Sequence, residues 1–409
     1  NGDSWIKVGA TIEGVASGDQ CGKSVSISAN GNRIAIASPF NNQAGISAGH
    51  VRVFEWDESD WVLVGAPIEG SAAYEIFGYS VSLSGDGNRI AITAHIDHMN
   101  SNEEPKARIY DWDGTEWVQV GSDIDIEGEA GSLSLSADGN RVAFGLNLKV
   151  YEWDGENWTQ MGDDEDWNIS NEQSLPHAWS VSLSADGNRI AFGEPFGTTG
   201  NQLVRGLTQV YEWNGANWMQ LGLDIEGEEE GDASGNAVSL SANGNRVAIG
   251  APGNDGNGED AGHVRIFEWN GISWVKVGMD IDGKEAGDGF GGDNRSMVSL
   301  SADGSRVAIG SRINTAFTGY VQVFEILLSS AVTSFAEAGI EVFPNPTTGT
   351  VNLTGIEQGT ISLLDNFGRI LFQKEIAGPE IDINELPAGI YFMHISSGDH
   401  IATGKIIKI

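Results

Sequence analysis

The chain has 409 residues, 40% of them hydrophobic, with 56 Gly, 10 Pro, one Cys and a formal charge of −36. That length allows two or three domains, and the acidic field repels phosphate backbones and anionic lipid, so nucleic acid and membrane surfaces are poor partners. No apolar run reaches the roughly 18 residues of a transmembrane segment, and the lone Cys21, read as a small packed residue, leaves no intrachain disulfide. No leader is visible from Asn1, which fits a processed chain or a cytosolic one.

In chain order, the first element is an alternating stretch, Ser4-Trp5-Ile6-Lys7-Val8-Gly9. A longer unit follows and then recurs. Its first motif runs Val25–Ile36 and returns at Val81–Ile92, Leu133–Phe144, Val181–Phe192, Val238–Ile249 and Val298–Ile309. Each copy carries one arginine: Arg33, Arg89, Arg141, Arg189, Arg246 or Arg306. A second motif follows each copy, as in Val51–Trp56, Ala107–Trp112 and Val264–Trp269, and the sixth copy reads Val321–Ile326. A third motif opens on Trp61, Trp117, Trp158, Trp218 or Trp274 and closes on Gly four residues later.

Within each motif apolar and polar residues alternate, which is the strand period. Asn30-Gly31 or Asp86-Gly87 joins strand one to strand two, and Asp113-Gly114 or Asn270-Gly271 joins strand three to strand four. Gly and Asn tolerate the positive φ of tight hairpins. Each repeat is therefore predicted to be a four-stranded antiparallel meander of about 50 residues, the size of a propeller blade. The sixth repeat has no fourth-strand motif, whereas one opens the chain at Trp5. The expected fold is all-β: a six-bladed β-propeller over 1–328, closed by the N-terminal strand, which would remove two sheet edges.

Strand geometry also pairs residues. Each arginine starts strand two and each Glu-Trp or Asp-Trp ends strand three, so antiparallel neighbours bring them together. The expected pairs are Arg33 with Glu55, Arg89 with Asp111, Arg141 with Glu152, Arg189 with Glu212, Arg246 with Glu268 and Arg306 with Glu325, as a ladder of ion pairs or of Arg–Trp stacking. A pair present in every repeat is structural, because an active site is needed once.

Phe77-Gly78-Tyr79-Ser80-Val81, followed by Asp86-Gly87-Asn88-Arg89-Ile90-Ala91-Ile92, is similar to the FG-GAP repeat of integrin-α-type propellers. Val247-Ala248-Ile249-Gly250-Ala251-Pro252 matches its Gly-Ala-Pro part. The resemblance implies calcium sites in the hairpin between the first two strands. Here that hairpin reads Ser-Ala-Asp-Gly-Asn-Arg, with one carboxylate, short of the six to eight oxygens calcium takes.

Residues 329–339 read as a linker, and 340–409 as a small β-sandwich with Pro and Gly at its turns. Only −4 of the net charge belongs to this tail, with four Lys and Arg against eight Asp and Glu from Ile340 on. The order Pro344-Asn345-Pro346 to Gly349, then Gly368-Arg369, then Gly389-Ile390-Tyr391, then Lys405 and Lys408, resembles the C-terminal sorting domain of the type IX secretion system of Bacteroidota. That resemblance implies the type IX machinery as partner and a secreted or cell-surface protein.

Function is expected on the loops that join strands two and three and that enter each new repeat, since both sets share one rim. Asp164, Asp166, Trp167, His177 and Trp179 form an acidic, aromatic stretch suited to sugar stacking. Asp255, Asn257, Glu259 and Asp260 are rich in oxygen donors and could hold Ca²⁺. The run Glu226–Asp232, with five carboxylates, reads as a solvated face. His50 and His263 hold the same repeat position and read as structural. No H-E-x-x-H, G-x-S-x-G or P-loop motif occurs. The expectation is a non-enzymatic binding or adhesion module for carbohydrate or protein. The alternatives are a structural envelope component, or a polysaccharide-degrading enzyme using paired carboxylates.

Overall fold

The structure is a computed structural model. It describes residues 7–96, 104–126, 131–163, 167, 178–196, 205–292, 297–311, 319–326, 332–335, 338–356, 358–364, 370–376, 378, 380–397 and 400–409. Every regular element among them is a β-strand. The chain divides into two compact units, Asn1–Ile266 with Asp280–Glu325, and Phe267–Met279 with Ile326–Ile409.

Each repeat makes its own antiparallel sheet. In the first, Val25–Ile27, Arg33–Ser38, His50–Trp56 and Trp61–Leu63 lie side by side in chain order. The same order holds for the sheets starting at Phe77, Leu133, Ser180 and Ala237. The sixth has three strands among the described residues: Val298–Leu300, Arg306–Ser311 and Tyr320–Glu325. The sequence pattern omits one feature. The fourth strand is only three residues long, so it covers half of the seven-residue third strand. A two-residue segment takes the other half: Ile68–Glu69 pairs with Val51 and His50, and Ile281–Asp282 with Val264 and His263.

The apolar core lies between successive sheets, not within one. Ala35, Val51 and Val53 of the first repeat pack with Phe77, Val81, Leu83, Ile90 and Ile92 of the second. Ala143 and Val150 of the third do the same with Val181, Ile190 and Phe192 of the fourth. Three sets of hydrogen bonds reinforce this packing. First-strand serines accept from the next repeat's first strand: Ser24 Oγ from Val81 N–H, Ser26 Oγ from Leu83, Ser132 Oγ from Val181 and Ser134 Oγ from Leu183. Hairpin backbones form a relay, Ala29 to Gly85, Gly85 to Ala137, Ala137 to Ala185, Ala185 to Ala242 and Ala242 to Ala302. Outside, three fourth-strand indoles donate to a carbonyl one repeat back: Trp117 to Val64, Trp158 to Val120 and Trp218 to Met161.

The expected closing strand is only partly visible. Trp5 lies outside the described residues. Val8 and Gly9 lie against the outer hairpin of the first repeat, where Val8 accepts from Trp61 Nε1. No strand pairs the outer edge of Tyr320–Glu325 among the described residues. The faces that a ring would bury are open: Val25 is 57% exposed and Val321 70%, whereas their repeat equivalents Val81 and Val264 are buried.

The tail has two sheets. One is ordered Val332–Ser334, His400–Lys408, Gly389–Ser397, Thr360–Leu364, Ile370–Glu375; the other Glu341–Phe343, Thr350–Thr354, Glu380–Asp382. Val351, Leu353, Ile361, Leu363, Ile381, Met393, Ile395 and Ile406 fill the space between them. Val332–Ser334, within the segment read as linker, runs parallel to Ile401–Thr403 as an edge strand.

Candidate functional site

The hairpin rim is occupied by structure. Arg33, Arg89, Arg141 and Arg189 reach Glu55, Asp111, Glu152 and Glu212 at 2.9, 2.5, 2.7 and 2.9 Å. Arg306 stands opposite Glu325 in register. The same guanidinium also crosses to the next repeat: Arg89 Nη1 donates to Gly139 O and to Asn140 Oδ1, each at 3.1 Å. Arg246 donates likewise to Gly304 O at 2.8 Å. Gly139 has φ +73°, and a Cβ there would meet Arg89 Cδ at 2.8 Å, so both the turn and the arginine require glycine.

The hairpin carboxylates are engaged locally. Asp86 Oδ1 accepts from Ser84 Oγ at 2.6 Å and from Asn88 N–H at 2.9 Å. Ser301 Oγ, with Ser305, holds the Asp303 carboxyl down to about 2. At most one carboxylate per hairpin (Asn30 and Asn243 replace it in the first and fifth), already accepting from its own turn, does not fit the calcium site that the FG-GAP resemblance implies.

On the opposite rim the sequence candidates separate. Asp164, Asp166 and His177 lie outside the described residues. Trp167 is a correction: it is buried and stacks on Trp218 at 5.6 Å, with Phe192 and Tyr211 edge-on to it. Its indole fills the space between the third and fourth sheets and offers no platform for a sugar. Trp179 is half-buried, and Phe196 meets it edge-on at 5.8 Å and 86°. Phe196, which the sequence reading passed over, is 63% exposed.

Two residues before Phe196, Glu194 ends strand two with its side chain buried, and Oε1 makes no hydrogen bond. Burial, and then the negative charge of Asp224, push its carboxyl up to about 7. The other repeats place Ser38, Ala94, Leu146, Ala251 or Ser311 there, so the acid is specific to the fourth repeat.

Asp255, Asn257, Glu259 and Asp260 share one turn, tied within itself and to the Gly283–Gly289 loop. Asp255 Oδ1 accepts from Asp260 N–H at 2.8 Å, and Asn257 Nδ2 donates to Gly283 O at 2.7 Å. Asp255, Glu259 and Asp260 are not among the carboxylates that converge within ligand distance. The run Glu226–Asp232 divides as well. Asp232 is buried and accepts from Glu228 and Glu229 N–H, both at 3.0 Å, capping its own loop. Glu75 and Asp288 cap equivalent loops. Glu228 instead lies near Asp280 and His263. Burial and the Arg265 guanidinium hold His263 below the usual imidazole range.

In the tail the motif residues hold one another. Asn345 Nδ2 donates to Lys405 O at 2.6 Å and Asn345 Oδ1 accepts from Ile407 N–H at 2.8 Å. Lys408 Nζ is buried and donates to the carbonyls of Ile383, Asn384 and Leu386. A Cβ on Gly349 would collide with Asn384. Both bonds preceding Pro344 and Pro346 are cis. The Tyr391 hydroxyl, two residues after Gly389, donates to Pro387 O at 2.7 Å, and Gly368 and Arg369 lie outside the described residues.

Residues 341–409 match the family described as secretion system C-terminal sorting domain. No curated protein matches the chain. Among solved structures, the chain is similar to a functionally unknown protein from Desulfotomaculum acetoxidans at 15% identity and TM-score 0.51, covering 76% of this chain and 84% of that one. It is also similar to the periplasmic gluconolactonase PpgL of Pseudomonas aeruginosa (14%, TM-score 0.45, 74% and 85% covered). A putative 6-phosphogluconolactonase from Bacteroides uniformis gives 10% and 0.48, with 75% and 85% covered. The likeness to the first of these is one of fold alone, for a chain of successive antiparallel sheets. The sorting domain marks the chain for export, to the cell surface or the medium.

Proposed function

We propose that this protein is a binding module delivered outside the cell by its type IX sorting domain, with a six-bladed FG-GAP-like propeller as a rigid scaffold. In this reading the N-terminal strand closes the ring. Closure would bury Val25, Ile27, Val321 and Val323, now exposed, each worth about 1.5–3 kcal/mol. The strand's position supports it: Val8 accepts from Trp61 as Val64 accepts from Trp117.

The observation that carries the binding reading is Phe196, exposed and braced edge-on by Trp179 on the loop rim. An aromatic face held still by a second ring suits stacking on a glycan. The test is a glycan array on the intact chain, followed by Phe196→Ala. Retention of defined glycans, lost in the variant, supports the reading; no retention would turn the assignment to a protein ligand.

A second reading, a polysaccharide-degrading enzyme, rests on Glu194. A carboxyl held near pH 7, close to a second acid, has the property of a general acid for glycoside cleavage. Product release from polysaccharide that disappears in Glu194→Gln would favour it.

A further inference from the structure

We propose that Glu228, His263 and Asp280 form a divalent-cation site on the rim of the fifth repeat, and that zinc is the ion its donors fit. One ligand-capable atom of each residue lies within 4.8 Å of the other two. His263 is 1% exposed, and its Nε2 is buried with no hydrogen bond. An imidazole nitrogen out of reach of water and without a protein partner is costly to keep. A metal ion bridging it to two carboxylates removes that cost.

The donor types select the ion. One imidazole nitrogen with two carboxylate oxygens is a zinc set, with solvent completing a tetrahedron. Bonds of about 2.0–2.2 Å place tetrahedral ligand atoms about 3.3–3.6 Å apart. The three groups need close by little more than 1 Å, and the exposed Glu228 side chain has that freedom. Arg265 Nη1 stands 3.5 Å from Glu228 Oε1, while its Nη2 donates to Glu226 O at 2.7 Å. This guanidinium limits where Glu228 can point.

Comparison of the repeats argues that the acids and the histidine belong together. His50 occupies the same register position in the first repeat, opposite Glu69 as His263 is opposite Asp282. There, Val15 and Pro67 stand where the fifth repeat has Glu228 and Asp280. The second repeat has Asp123 in the Asp280 position, but Lys106 replaces the histidine and Ser71 the glutamate. His50 is equally buried and both of its ring nitrogens lack a hydrogen bond, so what sets the fifth repeat apart is the pair of acids beside the imidazole. The site is independent of the aromatic rim at Phe196.

The test is calorimetric titration of zinc into the chelator-treated full chain, with Glu228→Gln, Asp280→Asn, His263→Gln and the control His50→Gln. The expected result is one saturable zinc per chain, weakened tenfold or more by each of the three substitutions and unchanged by His50→Gln. Glu228→Gln alters an exposed side chain and keeps the test decisive should His263→Gln fail to fold. Absence of saturable binding would overturn the proposal. So would zinc binding indifferent to the three substitutions, which would assign the ion to the diffuse acidic surface. Calcium binding more tightly than zinc would overturn the role of the imidazole.

Discussion

Trp61 Nε1 donates to the carbonyl of Val8 at 3.2 Å, joining the start of the chain to the outer hairpin of the first repeat. Trp117 makes the same bond to Val64 at 3.0 Å between two complete repeats. The N-terminal segment therefore stands where a preceding repeat would present its fourth strand. Trp61→Phe keeps an aromatic ring beside Trp56 and removes the donor together with part of the indole's area. It is expected to cost about 1 kcal/mol, the worth of one such bond. Trp117→Phe should cost the same. Urea unfolding of both variants checks this; a cost at Trp117 with none at Trp61 would mean that the first segment is not held as a strand.

The arginine ladder has an asymmetry that mutation can read. Asp111 is 40% exposed on its side chain, so its ion pair with Arg89 is worth about 1 kcal/mol or less. Arg89 also donates across the repeat boundary to Gly139 and Asn140. Arg89→Met is expected to destabilise by about 2 kcal/mol and Asp111→Asn by less than about 1. Equal losses in chemical denaturation would put the energy in the ion pair and not in the boundary.

Glu194 gives stability a pH dependence of known sign. Its carboxyl is raised to about 7 by burial and by Asp224, from an ordinary value of 4.5. The folded state thus holds a proton that the unfolded chain releases. The contribution is fully present below about 4.5 and is lost as pH rises through 7. Glu194→Gln, which imitates the protonated form, should match the natural chain near pH 4.5. By pH 8 it should be more stable by about 3 kcal/mol. Melting temperatures of the two proteins that stay parallel from pH 4.5 to 8 would refute the assignment.

Much of this was legible in sequence because it repeats. Six copies of one pattern give the strand period, the hairpin glycines and the Arg–acid register, each supported by the others. The two-residue strands at Ile68 and Ile281 were not legible, because two residues have no period. Trp167 misled because an indole in an acidic loop reads as exposed, while its neighbours in space, Trp218 and Tyr211, stand more than 40 residues away in the chain. Phe196 and Glu194 were passed over for the opposite reason: each occurs once, and a reading built on recurrence discards what does not recur. Glu228, His263 and Asp280 come from three separate segments, so no spacing rule joins them.

Trp167 and Phe196 now make contrasting predictions. Trp167 is surrounded by Phe192, Tyr211 and Trp218 between two sheets, so truncation leaves a cavity. Trp167→Ala is expected to cost about 3–5 kcal/mol, and Phe196→Ala under about 1. Thermal unfolding of both variants separates a core side chain from a rim side chain without any ligand.

The tail makes the last prediction. Lys408 and Lys405 lie on one strand and face opposite ways. Lys405 is exposed, whereas the Lys408 ammonium is buried and donates to three carbonyls around the Ile383–Leu386 turn. Those carbonyls accept at the point where the chain leaves Glu380–Asp382, the edge strand of the smaller sheet. Removing the ammonium strands them, at about 1–3 kcal/mol for a buried acceptor left unpaired. Lys408→Met is expected to loosen the tail, and Lys405→Met to leave its fold unchanged. If the exporting machinery reads the folded domain, a reporter fused to residues 329–409 should reach the medium with Lys405→Met and stay in the periplasm with Lys408→Met. Retention caused by Lys405→Met, with the tail still folded by circular dichroism, would show instead that the exposed lysine is itself the recognised group.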